Sequence, residues 1–129
     1  MKSILIVDDE KHIREIYKRL MDAWEDLKFK VFEASNALDA TECIIKEEID
    51  LILLDIRLPM INGQQLYQAI RKYKPGIKIM VSSVYPVEHQ KKIIPFADDY
   101  YDKSEGPRGL LEKVSGLFSD EQRSWVTET

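Results

Sequence analysis

The chain is short of nearly everything that would stabilise or anchor it by means other than a hydrophobic core. It has one cysteine, Cys43, in 129 residues, which excludes an internal disulfide and a thiol metal cluster. Cys43 lies in a helical pattern beside Ile44 and Ile45, where a small buried hydrophobe is expected. No apolar run approaches the length of a membrane span, and the N-terminus lacks the hydrophobic stretch of a signal peptide, so the cytoplasm is the expected compartment. Positive charge is not in excess either: 19 Lys and Arg stand against 23 Asp and Glu, a net charge of −4. That balance gives no basic footprint for nucleic acid or anionic lipid. The two histidines, His12 and His89, have charged neighbours and read as solvated face residues without a catalytic role. Internal repeats and low-complexity segments are absent.

What the chain does hold is aliphatic runs that stop on polar residues. Leu51-Ile52-Leu53-Leu54 ends on Asp55, and Pro59, Asn62 and Gly63 follow within one loop. Such a run reads as a strand buried on both faces of a parallel sheet. Asp55 then sits at its carboxyl end, where open α/β sheets keep their ligand crevices. Pro59 sets a turn, and Asn62-Gly63 is suited to positive φ before the next helix. Residues 3–7 form a second run, ending in Asp8-Asp9-Glu10. Ile13, Ile16, Tyr17, Leu20, Met21 and Trp24 then fall on one helical face. Residues 29–34 read as a short strand, and Ser35 as the N-cap of a helix to about residue 48 with Leu38, Thr41, Ile44 and Ile45 inward.

The strand at 50–55 leads to a helix over 63–73 with Leu66, Tyr67 and Ile70 buried, closed by Pro75-Gly76. Residues 77–83 give a fourth strand that turns polar at Ser82-Ser83. Pro86 suits the first turn of the next helix, and Pro95 must end it early. Residues 98–103 are a short fifth strand near the sheet edge. The last helix spans 107–118, with Leu110, Leu111, Val114, Leu117 and Phe118 as its core face. One domain over 1–118 is expected, with 119–129 a tail or truncated linker.

Alternating strands and helices imply a parallel sheet with helices on both faces and right-handed crossovers. All strand C-termini then meet along one rim, which gathers Asp8, Asp9, Asp55, Ser82 and Lys103. Three neighbouring carboxylates repel one another unless a cation is shared. Mg²⁺ is the natural partner, a hard ion that takes carboxylates, waters and phosphate oxygens. A hydroxyl and an ammonium opposite it would bind the remaining oxygens of a phosphoryl group. The constellation reads as carboxylate phosphorylation with Asp55 as nucleophile.

The order and spacing of Asp8-Asp9, Asp55 with Pro59 and Gly63, Ser82-Ser83 and Asp98-Asp99-Tyr100-Tyr101-Asp102-Lys103 resemble the receiver domain of two-component response regulators, a chemotaxis-regulator-like superfamily. The resemblance covers residues 2 to about 118. It implies a flavodoxin-like three-layer sandwich, a five-stranded parallel sheet of order 2-1-3-4-5 with five helices. It also implies phosphorylation of Asp55 by a sensor histidine kinase or histidine phosphotransfer protein, in a phosphoacceptor signalling domain rather than an enzyme acting on other molecules. Asp8, Asp9, Asp55 and the backbone carbonyl of Arg57 would hold Mg²⁺. Ser82 would follow the phosphoryl group, Lys103 would pair with it, and Tyr100 would change rotamer. The Arg57 side chain would lie over the mouth of the site.

Two features depart from the family pattern. Ser104 follows Lys103 where many receivers have proline, and Phe96, preceded by Pro95, takes the place of the usual glycine before Ala97, so the fourth helix and its exit are expected to be unusual. A flavin or nucleotide module of the same topology would want a Ser/Thr/Gly-rich loop where Asp8-Asp9-Glu10 stands. A haloacid-dehalogenase-like phosphohydrolase, the main alternative, would carry Asp-x-Asp after the first strand. Output is open at this stage: a downstream protein partner, a missing output domain or a homodimer all fit, without direct nucleic-acid or membrane binding by this chain.

Overall fold

The aliphatic runs are central strands, and their lack of polar alternation reflects cover on both faces. The computed structural model describes residues 1–24 and 28–127, and for 119–127 the backbone alone. In chain order the elements are β1 (Lys2–Val7), α1 (Lys11–Asp22), β2 (Phe29–Ala34), α2 (Ala37–Lys46), β3 (Leu51–Leu54) and α3 (Gly63–Tyr73). They continue with β4 (Lys78–Ser83), α4 (Val87–Ile93), β5 (Asp99–Asp102), a 3₁₀ turn (Lys103–Glu105) and α5 (Pro107–Thr127). The five strands are parallel in the order β2-β1-β3-β4-β5, the flavodoxin-like topology expected of the sequence.

Successive strand residues point to opposite faces, and the core divides accordingly. Leu5, Val7, Ile52, Leu54 and Ile79 pack with Ala40 and Ile44 of α2 and Leu66 and Ile70 of α3. Ile4, Ile6, Leu51, Leu53, Met80 and Tyr101 pack with Tyr17 and Met21 of α1 and Leu110, Val114 and Phe118 of α5. A smaller cluster of Ile56, Val81, Ile94 and Tyr100 lies near α4.

Several local expectations are corrected. Asn36, not Ser35, caps α2, its side chain accepting from Asp39 N at 2.8 Å. That cap turns the helix so that Ala37, Ala40 and Ile44 are buried, while Leu38 and Ile45 are 70% and 61% exposed and Thr41 faces solvent. Short alanines let α2 approach the sheet closely, which the larger apolar residues would prevent. Cys43 is only half-buried. Trp24 lies beyond the end of α1. The backbone of α5 continues past residue 118 to Thr127, further than its apolar periodicity predicts.

The turn after β3 also works differently. Its positive φ falls on Met60, at 66°, whereas Asn62 is extended and serves as N-cap of α3 in a capping box with Gln65. Gly63 is required for space: a Cβ there would lie 2.2 Å from the Asp55 carbonyl oxygen and 2.7 Å from Ile56 Cα. The loop behind Asp55 therefore rests directly on the start of α3.

The fourth helix is short, ending at Ile93 before Pro95, and Phe96 is 83% exposed. Its one buried residue is Gln90, whose side-chain amide donates to the carbonyls of Tyr85 at 2.7 Å, Tyr101 at 2.9 Å and Ser83 at 3.5 Å. Behind it, Arg71 of α3 pairs with Asp98 at 2.6 Å, and Tyr67 donates to the Phe96 carbonyl at 2.8 Å. These bonds fix the path by which the chain leaves α4.

Candidate functional site

The rim at the carboxyl ends of β1, β3, β4 and β5 brings together the residues that the sequence singles out. Asp8 follows β1, and its N–H donates to Ala34 O of β2 at 3.0 Å. Its Oδ1 accepts from Glu10 N at 2.9 Å. Asp55 follows β3, tied by its N–H to Val7 O at 3.0 Å, and its Oδ1 accepts from Arg57 N at 3.3 Å. Both carboxylates are buried, at 3% and 5% exposure. Lys103, one residue beyond β5, reaches back so that Nζ lies 2.6 Å from Asp8 Oδ2 and 3.2 Å from Asp55 Oδ2.

Charge in this pocket is strongly perturbed. Burial pushes the Asp55 carboxyl up from its ordinary 3.8 to about 6, with Lys103 opposing and Asp8 adding to the rise. Burial works against the Lys103 ammonium, yet its bond to Asp8 and the nearby Asp55 charge hold it above its usual range. One ammonium cannot balance Asp8, Asp9 and Asp55 together. Among the described residues, Asp8, Asp9 and Glu10 place oxygens within 4.8 Å of one another. That is a hard, anionic donor set, and it fits a small divalent cation such as Mg²⁺. Glu10 belongs to this group although the sequence reading gave it no metal role. An open cleft of about 480 Å³ adjoins it, lined by Asp9, Ile56, Arg57, Leu58, Pro59, Asn62, Gln64 and Ile93. The Arg57 side chain is exposed at that mouth.

Ser82, the last residue but one of β4, is almost fully buried, at 2% exposure. Its Oγ lies 3.5 Å from the hydroxyl of Tyr17 on α1, a residue whose apolar spacing marked it only as core. Tyr100 points inward from β5, its hydroxyl donating to Ile94 O and accepting from Ala97 N at 3.1 Å. Ser104, in place of proline, closes the turn after β5: its N–H and Oγ both donate to Asp102 Oδ1, at 2.9 and 2.7 Å. Proline has no N–H to give that carboxylate. His12 and His89 are exposed as expected, His89 stacking on Tyr85 with ring centroids 4.7 Å apart.

The comparisons with known proteins agree with this arrangement. The family model for the response regulator receiver domain matches residues 4–115. The transcriptional regulatory protein SrrA of Staphylococcus aureus is 33% identical over 129 residues, covering 98% of this chain and 52% of its own length. This chain thus spans about half the length of the curated relatives it matches. Among solved structures, a CheY-like receiver domain protein from Methanospirillum hungatei superimposes with a TM-score of 0.84 at 29% identity, covering 96% of this chain and 98% of its own. Thermotoga maritima TrrA, described in complex with Mg²⁺ and BeF, gives 0.79 at 34% identity, over 91% and 99%. None of these supports the haloacid-dehalogenase-like alternative. Because the match runs through all five strands, the chain belongs to the receiver domains of two-component response regulators.

Proposed function

We propose that Asp55 is the phosphoacceptor of this receiver, taking a phosphoryl group from a phosphohistidine of a sensor histidine kinase or histidine phosphotransfer protein. The observation that carries the reading is Lys103 Nζ held between Asp8 Oδ2 and Asp55 Oδ2, at the strand ends where such sheets bind ligands. An Asp55 oxygen attacks phosphorus, the phosphorus–nitrogen bond of the donor imidazole breaks, and the imidazole keeps the electron pair. The attack needs the carboxylate form, and a value of about 6 leaves Asp55 mostly ionised near neutral pH. Lys103 then exchanges part of its contact with Asp55 for a phosphoryl oxygen, and Ser82 donates to another. Tyr100 repacks beside α4 in response. Asp8, Asp9, Asp55 and the Arg57 carbonyl, with Glu10 at hand, would hold Mg²⁺, which supplies charge neutralisation for the transferring oxygens.

The chemistry is confined to the domain's own phosphorylation and dephosphorylation, and the phosphorylated face signals to a downstream protein partner or output domain. The greater length of the curated relatives supports an output region elsewhere in the whole protein. The cytoplasm remains the proposed compartment; among the described residues no helix is long and apolar enough to cross a membrane.

Intact-mass spectrometry after incubation with acetyl phosphate and Mg²⁺ tests the assignment. The expected result is one added phosphoryl group, lost in Asp55→Asn and in excess chelator. Equal labelling of the Asn variant overturns it.

A further inference from the structure

Tyr17 is 5% exposed in the apolar layer between α1, the sheet and α5. A leucine or phenylalanine would fill that layer as well. Its hydroxyl instead emerges under the rim, with Ser82 Oγ 3.5 Å away. The neighbouring phenol, Tyr101, has a buried hydroxyl without a partner among the described residues, so Tyr17 is not spent on it. Lys103, Asp8 and Asp55 all act electrostatically on the Tyr17 phenol, whose burial keeps it protonated.

These charges favour one direction for the contact. Both carboxylates already accept from Lys103 at Oδ2 and from a backbone N–H at Oδ1. Either oxygen can donate across the contact with Ser82; an ammonium attracts lone pairs, which favours the phenol as the donor. A serine hydroxyl has one proton and two lone pairs. When it accepts from Tyr17, its own proton is left to point elsewhere, and the polar opening above it is the rim. At 3.5 Å the contact is longer than a good O–H···O bond, so Ser82 keeps freedom to move toward a ligand. We infer that Tyr17 is a positioning residue: its buried hydroxyl donates to Ser82 Oγ and thereby aims the Ser82 proton at an anionic oxygen bound at Asp55. The inference rests on Asp55 being the phosphoacceptor.

Binding of Mg²⁺ and beryllofluoride is measured for the wild type, Tyr17→Phe, Ser82→Ala, the double variant and Asp55→Asn. Tyr17→Phe keeps the ring and removes one oxygen. Expected is a loss of about fivefold in beryllofluoride affinity for Tyr17→Phe, the order of one net hydrogen bond. In the Ser82→Ala background the same substitution should change affinity by less than about twofold. A second reading uses the metal-free protein. The Hα–Hβ couplings of Ser82 should report one dominant rotamer in the wild type and averaging in Tyr17→Phe, with the circular dichroism unchanged. Equal losses in both backgrounds would mean packing alone, and no loss, or tighter binding, means no positioning; either overturns the inference. If Asp55→Asn binds beryllofluoride undiminished, the phosphoacceptor reading itself falls. If Asp55→Asn abolishes binding and Tyr17→Phe is silent, only the Tyr17 role falls.

Discussion

Asp55→Asn should make the metal-free protein more stable at pH 8, although it destroys the nucleophile. The buried carboxyl sits at about 6 rather than its ordinary 3.8, a rise of roughly two pH units. At 1.36 kcal/mol per unit this amounts to ~3 kcal/mol by which ionised Asp55 favours the unfolded chain. The sign is fixed by linkage. A raised pKa means that the folded state holds its proton more tightly, so the contribution to stability is full below about pH 3.8 and lost as pH climbs through about 6. Asparagine never ionises and escapes that loss. It also places an amide near the Lys103 ammonium, which offsets part of the gain, so ~1–2 kcal/mol is expected at pH 8. Urea unfolding of both proteins in chelator, from pH 4.5 to 8, checks this: the gap should widen through pH 6. Adding Mg²⁺ should then raise the wild type by mass action, and the variant much less. A pH-independent gap, or a variant less stable at pH 8, refutes the argument.

Gly63→Ala should destabilise by ~2–4 kcal/mol, because the new Cβ meets backbone at 2.2 and 2.7 Å that cannot give way as a side chain could. A urea midpoint within experimental error of wild type would contradict it. Arg57, exposed beside the cleft, should cover the phosphoryl group against water. Arg57→Ala should shorten the phosphoryl lifetime about two- to fivefold, the order of ~0.5–1 kcal/mol for an exposed charge contact, without preventing phosphorylation. A single-turnover dephosphorylation course showing an equal or longer lifetime counts against shielding.

The sheet and the rim were legible because their signals are coarse. An uninterrupted aliphatic run such as 51–54 has few readings, and a run ending on Asp55 places that carboxylate whatever the fine geometry. The phase of α2 was not legible, since Leu38 and Ile45 weigh more on any hydrophobic pattern than Ala37 and Ala40. What decides the matter is how near the helix lies to the sheet. Asn62-Gly63 carried a turn signal that a close approach of backbone satisfies just as well, and only the fold tells the two apart. Tyr17 and Gln90 were missed for a related reason. The spacing of Tyr17 marks only a buried face and Gln90 stands in a polar stretch, and nothing in a lone sequence says that a phenol oxygen will meet Ser82 or that one amide will face carbonyls from two strands and a loop.

Gln90 has a consequence for how this receiver can diversify. One buried amide fastens the short α4 to Ser83, Tyr85 and Tyr101, and Val87 and Ile93 pack on the apolar cluster beneath the helix. Glu88, His89, Lys91 and Lys92 all face solvent. Their identities are free to drift, reversing the charge of that face or adding bulk to it, without loosening the helix. Selection for a new partner would thus act on a surface whose mechanical footing is held by other residues, Gln90, Val87 and Ile93, beneath it. Duplicated copies of such a gene could part company in what they recognise long before they differed in how they fold.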